Sequence, residues 1–280
     1  MRQINSISNL THSDVFSAII QSKREPYLSI LNSVKNIVDK GYEKFENHLI
    51  ESDLFYITSE NITTEQKDAL IHCYTSKTKK FNEYISQIKS SQDSFFKEYC
   101  PYCCIFNATT IDHYLPKEDF PEYSVHINNL IPCCDDCNRK KLTYWKDENS
   151  RGILYFYKDT LPQERYLYCD FSYNNSIPIV KYHLNFPATV NPEVQQIFFK
   201  HFERLNILNK YRDNSNVAIT EHIFLLKNAR NIPKNNVMNL LNLTIQDYKS
   251  KFGENYWKAV LFDSMINCSD LIEEIFGVNN

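Results

Sequence analysis

Only four of the 280 residues are glycine, and no glycine-rich phosphate-binding loop occurs. Such a loop cradles nucleotide phosphates with its backbone amides, so the chain is not expected to hydrolyse ATP itself. No apolar run approaches the roughly 20 residues needed to cross a bilayer as a helix. The opening MRQINSISNLTHSD is polar and lacks the apolar core of a secretory signal, which sets the expectation of a cytoplasmic protein. An excess of positive charge is also missing: 31 Lys and Arg stand against 34 Asp and Glu, a formal net charge of −3. That is not the signature of a protein gripping nucleic acid along its whole surface, and it counts mildly against a nucleic-acid function. It leaves room for a few local basic residues, or a partner subunit, to hold a phosphate. There is no internal repeat and no low-complexity tract, and with glycine so scarce, Asn and Asp carry much of the turn chemistry.

Cysteine, by contrast, is present nine times. Six of the nine are crowded together as Cys100, Cys103, Cys104, Cys133, Cys134 and Cys137. In a chain expected to be cytoplasmic, clustering of this kind points to metal and not to disulfides. Cys100-Pro101-Tyr102-Cys103 and Cys134-Asp135-Asp136-Cys137 are two C-x-x-C turns, each able to aim two thiolates at one centre. Together they complete a tetrahedron for Zn²⁺, with no open position, so the zinc is expected to be structural. Cys104 and Cys133 could each replace a neighbour, but only Cys100 and Cys134 keep the x-x spacing. Cys73, Cys169 and Cys268 are scattered and read as small buried apolar residues.

The expected architecture is α+β and mostly helical, in four stretches. Residues 1–98 read as a helical region. Thr11 or Ser13 can cap a helix carrying Val15, Phe16, Ile19 and Ile20. Leu28, Leu31, Val34, Ile37 and Val38 make a second stripe. A third run follows Thr63 or Thr64, and a fourth passes through Phe81, Tyr84, Ile85 and Ile88 to Phe95. Residues 99–147 are irregular and carry the cysteines. Residues 148–190 read as a small β region, with a strand at 153–157 and a hairpin about Asn174-Asn175-Ser176. Residues 191–280 return to a helical period. Ile197, Phe198, Phe202, Leu205 and Leu208 share a face, and helices are expected over 217–229, 236–252 and 255–276.

Between and beyond the C-x-x-C turns stand Asp112-His113-Tyr114-Leu115-Pro116, then Asn129-Leu130, then Asn138 directly after Cys137. In this order, including the step of nine from Asn129 to Asn138, the segment 99–147 resembles the HNH endonuclease family, nucleases with a zinc-stapled ββα-metal centre. The resemblance says little about the flanks. It implies that His113 is the general base, that Asp112 and Asn138 hold a catalytic Mg²⁺ or Mn²⁺, and that Asn129 holds the loop orienting His113. The chemistry suits these side chains. Phosphodiester hydrolysis needs a base that is neutral near pH 7 and a hard cation on oxygen ligands. In a ββα unit Asp112 and His113 would end the first strand and residues 130–133 would form the second. Asp135 or Asp136 would cap a helix running to about Trp145. Lys141, on the face of Asn138, could then hold a substrate phosphate.

The expected activity is hydrolysis of nucleic acid, DNA before RNA, in bacterial anti-phage defence beside an ATPase partner. That last feature is an analogy with proteins of similar layout. A ribonuclease, acting for instance on transfer RNA, is one alternative, and a non-catalytic zinc-containing binding module is another. The helical flanks carry no helix-turn-helix or aromatic RNA-binding signature to decide. Other residues promise less. His126 reads as a solvated loop histidine, while Glu118, Asp119 and Glu122 form an acidic loop that could add a ligand. Arg139 and Lys140 are expected to face solvent or a phosphate backbone, and the other histidines show no ligand spacing.

Overall fold

The structure, a computed structural model, describes residues 3–7, 11–93 and 97–277. It is α+β and mostly helical, with two small antiparallel hairpins. Its backbone contacts divide it into two compact units, one spanning Gln3–Asp159 and the other Thr160 onward. Among the described residues no helix is long and apolar enough to cross a membrane.

The first unit opens with four helices: α1 (His12–Gln21), α2 (Tyr27–Glu51), α3 (Thr64–Thr75) and α4 (Lys79–Ser90). Three of the four starts are capped by a threonine side chain, while α2 follows Pro26 without a side-chain cap. The Thr11 side chain accepts from the Asp14 amide, Thr63 and Gln66 form a reciprocal capping box, and Thr78 accepts from the Phe81 amide. Such caps satisfy amides that the helix itself leaves without partners. The buried stripe of α2 runs through Leu31, Val34, Val38, Tyr42 and Phe45, and α1 inserts Phe16 and Ile19 with no exposure. Phe95, expected to continue α4, lies outside the described residues.

Strands β1 (Thr110–His113) and β2 (Leu130–Cys133) pair antiparallel, with Thr110 opposite Cys133 and His113 opposite Leu130. Helix α5 (Asp135–Lys141) follows at once. Its cap is not Asp135 or Asp136 but Cys134, whose sulfur accepts from the Cys137 amide. The helix stops at Lys141, short of Trp145, because Leu142 turns to a φ of 51°. The strand expected at 153–157 is absent. Ile153, Leu154, Tyr155 and Phe156 are core residues of an irregular turn, and the Tyr155 hydroxyl donates to the Asn128 carbonyl. An apolar run buried on all sides has no period from which to tell strand from turn. Gly152 sits so close to the Tyr144 ring that an added Cβ would lie 2.2 Å from its hydroxyl. One of the four glycines is thereby accounted for by close packing.

The second unit pairs β3 (Leu167–Asn174) with β4 (Ile177–Leu184). Asn175 and Ser176 both take positive φ, the two-residue turn whose twist suits a hairpin. Helices α6 (Pro192–Arg204), α7 (Ile207–Asn228), α8 (Lys234–Phe252), α9 (Trp257–Ile266) and α10 (Ser269–Phe276) follow. Two boundaries differ from the sequence reading. Asn206 at φ 54° breaks the chain after Leu205, so Leu208 belongs to α7, which starts well before Val217. The helix expected over 255–276 is two, separated at Asn267 and Cys268.

Candidate functional site

The four C-x-x-C cysteines converge. The sulfurs of Cys100, Cys103, Cys134 and Cys137 all lie within 4.8 Å of one another and are buried, with Cys103 and Cys134 3.9 Å apart. Sulfurs about 2.3 Å from a tetrahedral zinc would stand about 3.8 Å apart. The group can therefore hold a structural metal such as zinc. Hydrogen bonds from the neighbouring thiols hold Cys134 below the ordinary thiol range, while burial raises Cys100 above it, so metal binding would release the protons that the other thiols keep. The other two cysteines point elsewhere: the Cys104 sulfur approaches the Pro101 carbonyl and Cys133 meets the Thr110 hydroxyl. Of the scattered three, Cys73 and Cys169 are buried, while Cys268 is half-buried ahead of α10.

Beside this centre a cleft of about 330 Å³ is lined by Asp112, His113, Lys117, Glu118, Asn138 and Arg139, among others. The hairpin and the first turn of α5 thus bring Asp112, His113 and Asn138 to one concavity. His113 Nε2 stands 2.9 Å from the Ser124 carbonyl. A carbonyl can only accept, so Nε2 carries the proton and Nδ1 keeps its lone pair. Burial holds the ring down to about 3, so it is neutral near pH 7. Tyr74 of α3 sets its ring edge-on to the imidazole at 4.3 Å and donates to the Ile111 carbonyl. The Asn138 amide donates to Thr110 at 3.3 Å, leaving its oxygen as a potential ligand.

Asp112 is only 3% exposed. It accepts from the Tyr102 hydroxyl at 2.6 Å and pairs with Lys141 Nζ at 3.0 Å. Burial pushes its carboxyl up, against the pull of Lys141 and Tyr102. Lys141 corrects the sequence reading. It has no exposure and its ammonium donates to the His113 carbonyl at 2.6 Å. It therefore braces the strand end from inside and offers nothing to a phosphate in solvent.

Asn129 is also wholly buried. Its Oδ1 accepts from the Leu115 amide at 2.7 Å, and its Nδ2 donates to the Leu115 and Tyr123 carbonyls at 3.0 and 3.1 Å. The chain leaving His113 is thereby tied to the loop that supplies Ser124. Asn128 instead donates to Glu46 at 3.2 Å. Of the acidic loop, Glu118 reaches the cleft, but Glu122 is buried and accepts from the Glu60 amide at 2.8 Å. Arg139 and Lys140 pair along α5 with Asp135 and Asp136. His126 is not solvated; it is fully buried.

The sequence reading passed over Tyr102, Ser124 and Tyr74. Tyr102 carried the one available signal, since it lies inside the first C-x-x-C turn and must travel with the metal centre. Ser124 acts through its carbonyl and Tyr74 through a distant helix, and neither leaves a mark in the sequence.

The chain is thus a mostly helical α+β protein with a buried four-cysteine centre against a cleft holding His, Asp and Asn. It is similar to Protein ea31 of Escherichia phage lambda, 29% identical over 200 residues, which is 64% of this chain and 64% of the phage protein. The chain therefore spans slightly under two thirds of that relative's length. No protein-family model matches the chain, and no solved structure matches it.

Proposed function

We propose that the chain is a metal-dependent endonuclease of the HNH kind, cutting phosphodiester bonds in nucleic acid, with DNA the first substrate to test. The observation that carries this reading is a neutral His113 with Nε2 committed to Ser124, lining one cleft with Asp112 and Asn138. Positioned in this way, Nδ1 takes a proton from the attacking water. A carboxylate and an amide oxygen suit a hard divalent ion such as Mg²⁺ or Mn²⁺. When bound, that ion supplies charge neutralisation at the phosphate and at the leaving 3′-oxygen. Lys141 already neutralises the Asp112 carboxylate, so the protein ligands alone carry little net negative charge. Affinity for the ion is accordingly low until a substrate phosphate joins the site. The four-cysteine centre takes no part in the chemistry. It fixes the start of the unit to α5, and Tyr102 conveys that order to Asp112.

The chain lacks a phosphate-cradling loop, so an ATPase partner in anti-phage defence belongs to the same proposal. Co-purification that brings down no ATPase would count against it. The activity is tested on plasmid DNA, single-stranded DNA and total RNA with Mg²⁺ or Mn²⁺. Cleavage abolished by EDTA and by His113→Ala is expected. Cleavage of RNA alone would replace DNA by the ribonuclease reading. Silence on every substrate, from folded protein with its zinc and any captured partner, would leave a zinc-containing binding module as the better account.

A further inference from the structure

A second group of donors lies in the same unit, away from the cysteines. His12 opens α1, Glu46 lies on α2, and His126 precedes the short turn at Ile127–Asn129. One donor atom from each falls within 4.8 Å of the others. The rings of His12 and His126 stack with centroids 3.8 Å apart. Both Nε2 atoms lie beside Glu46 Oε1, at 3.0 Å for His12 and 3.7 Å for His126. The ring planes are 20° from parallel, so sharing one ion requires the half-buried His12 ring to tilt its in-plane lone pair toward that of His126.

His126 is the anomaly. It is wholly buried, and neither of its ring nitrogens has a hydrogen-bond partner; His12 Nδ1 is in the same position. Buried polar atoms in native proteins are almost always satisfied, and one that is not calls for a specific cause. An imidazole with a free lone pair is what a transition metal binds.

We propose that His12, Glu46 and His126 form a second metal site, taking one Zn²⁺ or a similar borderline divalent cation. Ligand atoms about 2.0–2.1 Å from a tetrahedral zinc stand roughly 3.3–3.4 Å apart, and the distances of 3.0 and 3.7 Å bracket that spacing. Two imidazoles and a carboxylate are a donor set zinc accepts, with a water in the fourth position. Access for that water comes from the Glu46 side, whose side chain is 40% exposed. Asn128 Nδ2 donates to Glu46 Oε1 at 3.2 Å and so orients the carboxylate from outside, as supporting groups around metal ligands do. The ion ties α1 and α2 to the loop that supplies the Ser124 carbonyl and Asn129. It is a fastening, independent of whether the neighbouring cleft cuts anything.

The test counts metal. The full chain, Glu46→Gln and His126→Asn are saturated with Zn²⁺, dialysed against a weak competing chelator, and analysed for zinc per chain. Wild type is expected to hold one zinc more than either variant. Glu46→Gln keeps its shape on a half-exposed helix face, and a native far-UV circular dichroism spectrum certifies its fold even if His126→Asn is unstable. Titration with Co²⁺ should give wild type a second set of visible bands, from nitrogen and oxygen ligation without thiolate charge transfer, which Glu46→Gln lacks. Equal zinc content in wild type and folded Glu46→Gln overturns the proposal.

Discussion

Replacing Asn129 by Ala should be among the most damaging single changes in the first unit, although it removes only a small polar group. The side chain makes three buried hydrogen bonds, one accepted from the Leu115 amide and two donated to the Leu115 and Tyr123 carbonyls. Truncation leaves the Leu115 amide and carbonyl facing a small void, while the Tyr123 carbonyl loses one of two donors and keeps the His126 amide. Each unsatisfied buried group costs about 1–3 kcal/mol. The carbonyls have second lone pairs and lose less, so the sum is about 3–5 kcal/mol. For a unit spanning Gln3–Asp159 that corresponds to a fall of roughly 10 °C in Tm. The neighbouring Asn128→Ala is the internal control. Its side-chain amide reaches only partly exposed groups, Glu46 Oε1 and His12 Nε2, and the loss should cost about 1 kcal/mol. Urea denaturation and calorimetry on both variants measure the contrast. Equal and small losses for the two would refute the claim that Asn129 is the brace of the His113 loop.

Lys141→Met leaves the Asp112 carboxylate buried without its counter-charge and should destabilise by about 3–5 kcal/mol; the double variant Lys141→Met/Asp112→Asn should recover part of that loss in urea denaturation. Cys137→Ser, or removal of zinc by a strong chelator, should loosen β1, β2 and α5, read as lost amide protection in 110–141, since a hairpin of two four-residue strands does not stand alone. Glu122, which burial raises to about 7, gives a pH signature of defined sign. Its folded pKa exceeds the unfolded value, so its contribution is complete below about 4.5 and is lost as pH rises through 7. Glu122→Gln should flatten that dependence and make the protein more stable than wild type at pH 8, as followed by Tm across pH 5–8.

Much of the local structure was legible because single residues decide it. Thr11 and Thr63, each one of two candidates the sequence offers, do cap α1 and α3. The two C-x-x-C spacings separate the paired cysteines from Cys104 and Cys133 before any coordinates. The errors have equally specific causes. At 153–156 every side chain is buried, so periodicity carries no information. At Asn206 a single residue in the left-handed region ends one helix and begins the next. At Cys134 a sulfur does the capping that Asp135 and Asp136 seemed suited to do. Lys141 reads as a solvent-facing cation on helical spacing alone, and only the buried carboxylate across the hairpin draws it inward. His12, Glu46 and His126 come from three distant segments, and no spacing rule could have joined them.

The cleft depends on these ties more than on a core. Strands of four residues have few side chains with which to fix a position to the accuracy that water activation needs. Around His113 the restraints instead arrive separately. Lys141 holds its carbonyl from α5, Ser124 holds its ring from the loop, Tyr74 covers its face from α3, and Asn129 holds the residues that follow. Asp112 adds a line through Tyr102 into the cysteine centre. A restraint made of a few buried polar bonds is stiff while complete and fails abruptly when one member is lost. Conservative changes at Tyr102 or Asn129 are therefore expected to disorder the base and its neighbours together, while equally large changes on the exposed face of α5, such as Arg139→Ala, leave the geometry standing.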